Sequence, residues 1–360
     1  MRFFRLGKSN FRTRFKLTIR GFMHKVSYKK VKQDLVLSAL ICITPIFAGD
    51  TLTVGFWNVE NVFDLEDDPY KNDNEFAIGG KKRINKGIYN LKMNNIASVI
   101  SKIGADVLGL CEIENEAVLK DLDSRVPSFE YQIVHYESAD FRGIDVALFY
   151  NPEKLWLVDS RKIKVLLPSG KPTRDILHAT LKFEEQILHV FVNHWPSKYG
   201  GVEKTIPFRA AAARTLRKEV ERLLEYNPNA EIVIMGDLND EPIDPSIVEH
   251  LGANMDKTKV NGRDTILWNV MEPYHRNKEG STYKYGGKDM VYDHLIISSG
   301  LWDEKNLTFV NGSERVFDGP EYRQHVGKYD GSPFRFWAGN KLLGGYSDHM
   351  PIYLKIYRLE

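Results

Sequence analysis

The stretch IVIMGDLNDEP, residues 232–242, runs from an apolar segment straight into Asp237, Asn239, Asp240 and Glu241. A short apolar run bounded by turn-forming residues reads as a buried β-strand. A strand that merely reaches the surface needs only a turn. This one ends in carboxylates and an amide, as the edge of an active site does.

Side chains alternate faces along a strand, so Val233, Met235, Asp237 and Asn239 are expected on one side. The same parity groups Leu52, Val54, Phe56 and Asn58, then Leu108, Leu110 and Glu112, then Val291, Asp293, Leu295 and Ile297. Four strand-like segments thus carry an apolar face that gives way to Asn, Glu or Asp. The HW pair at 194–195 and the SDH triplet at 347–349 add His194, Asp348 and His349. A single buried acid reads as a capped turn or a salt bridge, but the set calls for one cause. Packed carboxylates repel and resist ionisation, and a divalent cation among them removes that cost. Carboxylate and amide oxygens without Cys suit Mg²⁺, with Mn²⁺ and Ca²⁺ as alternatives, better than Zn²⁺. Mg²⁺ leaves room for water and substrate phosphate, so the chemistry that fits is metal-assisted hydrolysis of a phosphate ester.

The ordered segments VGFWNVEN, LGLCEIEN, FVNHWPSK, IVIMGDLNDEP, VYDHLIIS and YSDHMPI, spanning roughly 52–357, resemble the endonuclease/exonuclease/phosphatase superfamily. That group holds secreted DNases, abasic-site endonucleases, sphingomyelinases and inositol-polyphosphate 5-phosphatases. The resemblance implies a four-layer α/β sandwich, two mixed sheets face to face with helices outside. It implies that Asn58 and Glu112 bind the metal, Glu112 most directly, with Asp348 at the metal edge. Asp237 would orient or deprotonate the attacking water and Asn239 would hydrogen-bond the phosphate. His349 would contact the phosphoryl group, its imidazole held by Asp293, and His194 would stand beside the leaving group. Which histidine is acid and which is base stays open. Abasic-site endonucleases carry a Tyr where Ile144 and Asp145 precede Val146-Ala147, which argues against DNA repair. Arg142 in DFRGIDVALFY is a candidate phosphate contact. Arg174 has a weaker claim, and Asn61 reads as a turn residue.

The chain has 360 residues, 42% of them hydrophobic, with 17 Tyr and 19 Phe, ample for a sizeable core. Frequent strands interleaved with helical patterns at 91–104 and 207–228, the second opening on Pro207, suggest a layered α/β protein with mixed sheets. No repeat or long linker follows residue 50, so 50–360 reads as one domain. The loops at 64–87 and 311–345 are long and polar. Their aromatics, Tyr322, Tyr329, Phe334, Phe336 and Trp337, fit either substrate stacking or loop packing.

The net charge of +2 hides an asymmetry. Residues 1–48 hold 11 Lys or Arg against Asp34 alone, which leaves 39 basic and 47 acidic residues beyond them, a balance of −8. Basic residues ending in KKVK, an apolar run at 34–50 and the small pair Ala48-Gly49 read as a signal peptide over 1–48, with Met23 as an alternative start. The apolar run falls short of the roughly 20 residues of a membrane span. Export to the periplasm or exterior is therefore expected. Cleavage leaves Cys111 as the lone thiol, read as buried and inert, and excludes a disulfide framework.

DLEDDPYKNDNE (64–75) has acids in a calcium-loop register, but Pro69 stands where that loop needs Gly. No G-x-S-x-G elbow, P-loop or dinucleotide fingerprint appears. The sequence thus points to an exported Mg²⁺-dependent phosphoesterase, first a phosphodiesterase or nuclease acting on nucleic acid. The acidic body keeps a sphingomyelinase-like or polyphosphate-phosphatase activity on small or lipid head-group phosphates as the alternative. A non-catalytic metal-containing binding protein of the same fold is the rival, and no obligate protein partner is evident.

Overall fold

The computed structural model describes residues 51–259, 267–277 and 280–359. The expected signal peptide over 1–48, with Met23, lies outside the described residues.

The strands are β1 (Thr51–Val62), β2 (Val107–Ile113), β3 (Gln132–His135), β4 (Asp145–Tyr150), β5 (Leu155–Ile163), β6 (Ile176–Phe183), β7 (Gln186–His194), β8 (Glu231–Asp237), β9 (Ala253–Asn254) and β10 (Leu267–Asn269). They continue as β11 (Tyr283–Tyr285), β12 (Lys288–Met290), β13 (Asp293–Ile297), β14 (Leu307–Phe309), β15 (Arg315–Val316), β16 (Trp337–Ala338), β17 (Lys341–Leu342) and β18 (Ile352–Arg358). The α-helices are α1 (Lys86–Ile103), α2 (Glu116–Asp123), α3 (Val202–Tyr226) and α4 (Glu272–Arg276).

Two seven-stranded sheets form the fold. The first runs β14-β18-β1-β2-β4-β3, with β15 also on β18; the second runs β5-β6-β7-β8-β13-β10-β9. Each is mixed, because β1 pairs parallel to β2 across α1 and β7 pairs parallel to β8 across α3. Parallel neighbours need such a crossover. Phe56 from the first sheet and Val192, Met235 and Leu295 from the second share one buried cluster, which is the layer between the sheets. On the outer side of the second sheet, Ile232, Ile234 and Phe191 pack on Ala212, Ala213, Leu216 and Val220 of α3. Met93, Ile96 and Ile100 of α1 cover the first. The expected layering is observed.

Local chemistry sets the helix ends. The α1 helix begins five residues before the apolar periodicity because the Asn85 side chain accepts from Ile88 N; it stops at Gly104, whose φ of 59° suits glycine. The α3 helix begins at Val202, so Pro207 lies inside it rather than at its start. Proline lacks the N–H that would bond the Glu203 carbonyl, a loss confined here to the second turn. The loop aromatics divide: Tyr322, Phe336 and Trp337 are buried, the outcome expected of packing.

Close approach sets two positions. A Cβ on Gly236 would meet the Asn193 carbonyl oxygen at 2.4 Å, and one on Gly109 would meet Met235 Sδ at 2.5 Å. The second contact shows that Gly109 faces the other sheet. Leu108 and Leu110 therefore face away from it, contrary to the parity that grouped them with Glu112. A break in register between Cys111 and Ile113, with Glu112 at φ 63°, turns the Glu112 carboxylate back to the inner side.

Candidate active site

The inner-face strand ends of both sheets meet in one cleft. In the second sheet the pairing register sets His194 beside Asp237 and Asp237 beside Asp293. From the first sheet come Asn58 at the end of the regular part of β1, Glu112, and the segment 347–349 leading into β18. Asn58, His194, Asp237, Asp293 and His349 are buried and Glu112 is half-buried.

Asp237 is the centre. Its Oδ2 lies 3.7 Å from His194 Nε2 and 3.7 Å from His349 Nε2, and accepts from Asn58 Nδ2 at 3.1 Å. Its Oδ1 accepts from the Asn239 backbone N–H at 3.0 Å. Glu112 Oε1 is 3.8 Å from His194 Nε2, and its Oε2 accepts from Asn61 N at 2.9 Å. That donor is aimed by two successive left-handed residues, Glu60 (φ 56°) and Asn61 (φ 51°). Asp293 Oδ2 holds His349 Nδ1 at 2.8 Å, which fixes Nε2 toward Asp237. The Trp57 indole N–H and the Ser347 hydroxyl pin the backbone around this ring, to the His349 carbonyl and the Asn58 carbonyl respectively.

Electrostatics separates the groups. Burial, reinforced by Asp293 and Glu112, raises the Asp237 pKa to about 7 despite the opposing His349 charge and Asn58 hydrogen bond. Burial works against a charged His349, but Asp293 and then Asp237 overcome it and raise its pKa to about 10. Burial holds His194 well below its ordinary value, with Arg174, Arg142 and His349 acting in the same direction. At neutral pH His349 is cationic and His194 neutral.

A cation suits this donor set. The Asp237 and Asp293 carboxylates offer oxygens within 4.8 Å of each other. Asp293 Oδ1 is buried with no hydrogen-bond partner, as is His194 Nδ1. Two carboxylates, those of Asp237 and Asp293, thus face the His349 imidazolium, while Glu112 faces the neutral His194. Asn58 gives Asp237 its N–H, while its oxygen accepts from Glu60 N at 3.0 Å and keeps a second lone pair.

Other expected residues lie further out. Asp348 leans on Arg335, with Oδ2 3.8 Å from Nη2, and stands outside the tight group around Asp237. Asn239 also donates its amide to the Trp195 carbonyl at 3.0 Å. Arg142 is exposed on the loop near His194, loosely paired with Asp140 at 3.7 Å. Arg174 is buried and fully engaged: it donates to the His194 and Trp195 carbonyls and, at 3.0 Å, to Asp140. Its guanidinium braces the histidine's backbone through these bonds. Asp240 joins Arg209, Lys198 and Ser246, away from the centre.

Three contributors had no sequence signal. Tyr283 stacks on His349 with ring centroids 4.5 Å apart. Glu60 accepts from Phe336 N and Trp337 N, tying the 311–345 loop to β1. Arg335 comes from that loop. All three depend on tertiary contacts that no spacing encodes.

A two-sheet sandwich with carboxylates and histidines at the joined strand ends defines a class of metal-assisted hydrolases. The sequence profile of the Endonuclease/Exonuclease/phosphatase family matches residues 53–358, and the chain belongs to that family. Among solved structures it is similar to an endonuclease/exonuclease/phosphatase family protein from Bacteroides thetaiotaomicron, at 18% identity and TM-score 0.55, covering 86% of this chain and 98% of that one. A mannosyl-6-phosphatase from the same organism matches at 17% identity and TM-score 0.53, covering 86% and 100%. TDP2 of D. rerio, solved with a single-strand DNA product, matches at 17% and 0.53, covering 85% and 99%. No curated protein matches the chain.

Proposed function

We propose that the protein is an exported, Mg²⁺-dependent phosphodiesterase that hydrolyses P–O bonds in nucleic acid. The observation that carries this reading is Asp237: one buried carboxylate oxygen within 3.7 Å of two imidazoles that sit in opposite protonation states. The DNA product bound to the D. rerio relative supports a nucleic acid substrate, and the phosphosugar in the name of the Bacteroides relative supports a small phosphomonoester as the second reading.

Glu112, with Asn58 beside it and Asp348 at the edge, would hold a magnesium ion, which would supply Lewis acidity toward a phosphoryl oxygen. Asp237 accepts a proton from the attacking water, aligned by the Asn58 amide and the Asn239 backbone N–H. A carboxylate with its pKa near the working pH suits a general base. The water oxygen then bonds to phosphorus as the P–O bond to the leaving group breaks, and the leaving oxygen takes its proton from solvent. His349, cationic on Asp293, offers Nε2–H to the charge growing on the phosphoryl oxygens. Neutral His194 stands on the leaving-group side, its backbone clamped by Arg174, and Asn239 and Arg142 add donors to the phosphate.

The test is hydrolysis of single-stranded DNA, bis(p-nitrophenyl) phosphate, p-nitrophenyl phosphate and sphingomyelin with Mg²⁺. Diester cleavage that falls more than ~100-fold in Asp237→Ala and His349→Ala is expected of a lost general base and a lost donor to the phosphoryl oxygens. Equal rates in variants and wild type favour the binding-protein rival, and monoester-only turnover favours the phosphatase.

A further inference from the structure

A second set of metal-type ligands lies on the first sheet, away from Asp237. His135 ends the edge strand β3, Asp145 begins β4, and Glu137 lies two residues beyond β3. These three offer ligand atoms within 4.8 Å of one another. The His135 and Asp145 side chains are 4% and 2% exposed, and their facing atoms, Nε2 and Oδ2, stand 3.4 Å apart. Neither atom has a hydrogen-bond partner. The other oxygen of Asp145 is fixed by Ser138 N at 2.9 Å, so the free one has a set direction. The Glu137 carboxyl stands against the same group. Two carboxyls and an imidazole nitrogen thus converge on one point. Lys71, the cation facing this group, donates to the Ser138 and Asp140 carbonyls instead, at 3.2 and 3.1 Å.

We propose that His135, Glu137 and Asp145 bind one divalent cation of the zinc type and that this cation braces the 136–144 loop. Zinc accepts imidazole nitrogen and carboxylate oxygen and can keep a fourth position for water beside three protein ligands, whereas Mg²⁺ prefers oxygen ligands throughout. The Asp145 carboxylate already has the backbone hydrogen bond that orients ligating carboxylates. The surface beside Glu137 is acidic. Glu137 lines a pocket of about 260 Å³ whose other acids are Asp64, Glu66, Asp67, Asp68 and Glu114, a local field that concentrates cations. The loop so braced carries Arg142, and Asp140, the partner of Arg174.

The test uses the full mature protein, stripped with chelator and resupplied with excess Mg²⁺, then titrated with Zn²⁺. One equivalent of tight zinc uptake with a rise in Tm is expected. His135→Ala and Glu137→Gln weaken that uptake more than ~10-fold, the effect even of indirect ligand partners. The Glu112→Ala, Asp237→Ala double variant keeps it, since the sites are separate. Absence of the equivalent, equal affinity in the His135 and Glu137 variants, or loss in the double variant alone overturns the proposal. Circular dichroism checks folding, and Glu137, exposed on its loop, carries the test if His135→Ala misfolds.

Discussion

Asp293 never approaches the reacting phosphate in the proposed mechanism, yet it decides the charge on His349. Its carboxylate, 2.8 Å from Nδ1, is the largest of the terms that keep the ring protonated up to about pH 10. In Asp293→Asn that hold is gone, and His349 loses its proton at lower pH. The alkaline arm of the pH–kcat profile therefore moves toward neutrality, and activity at pH 8–9 falls more than at pH 6. An unmoved arm would mean that His349 does not act as a cation. The same residue shows why part of the centre was legible in advance. Asp293 and Asp237 sit on regular strands, where alternation of faces holds from the core to the tip. Glu112 reached the cleft by a left-handed kink instead, so parity placed it rightly only by misplacing Leu108 and Leu110. Tyr283, brought onto His349 by a hairpin from elsewhere in the chain, left no trace in spacing at all.

At the level of elements, two features hold β7, β8 and the following loop in place. The parallel pairing of Asn193 with Gly236 leaves no room for a side chain, because an added Cβ would lie 2.4 Å from a carbonyl oxygen. Gly236→Ala forces β7 and β8 apart next to His194 and Asp237. It is expected to cost at least the ~1–3 kcal/mol typical of overpacking, measured by denaturant unfolding. Beyond β8, Asp240 meets Arg209 at 2.6 Å, with Lys198 and Ser246 completing the network. Arg209 is 1% exposed, so Asp240→Ala strands a buried guanidinium at an expected cost of about 3–5 kcal/mol. A loss below 1 kcal/mol in the same assay would show the network to be dispensable. The opening motif had clustered Asp240 with Asp237 because both follow one strand. Their separation depends on α3, whose Arg209 draws the second acid outward, and a linear motif does not show which helix packs behind it. The early Pro207 in that helix was misread for a similar reason: packing along α3 outweighs the single lost hydrogen bond.

For the molecule as a whole, stability against acid is set partly by histidines kept neutral inside it. His178, stacked on Phe191 at 4.3 Å, has its pKa lowered to about 3 by burial, and His294, hydrogen-bonded to Asn269 and to the Asp240 carbonyl, to about 4. Each is uncharged in the folded state while the unfolded chain takes up a proton near pH 6.5. The folded state thus loses stability as pH falls below 6.5, at up to about 1.4 kcal/mol per unit per residue. His178→Phe removes one such term and is expected to gain on wild type as unfolding is followed from pH 7 down to pH 4. A difference independent of pH would refute the assignment. The layered architecture itself was readable from the alternation of strand and helix patterns. The sheet order was not, since it depends on pairings such as β18 with β1 between the two ends of the described chain.

That last pairing has a consequence for when activity can begin. His349 lies just before β18, which slots between β14 and β1, so synthesis must pass beyond residue 349 before the histidine can reach Asp237. A nascent chain of this design holds an incomplete site until β18 is made and inserted between its two partner strands.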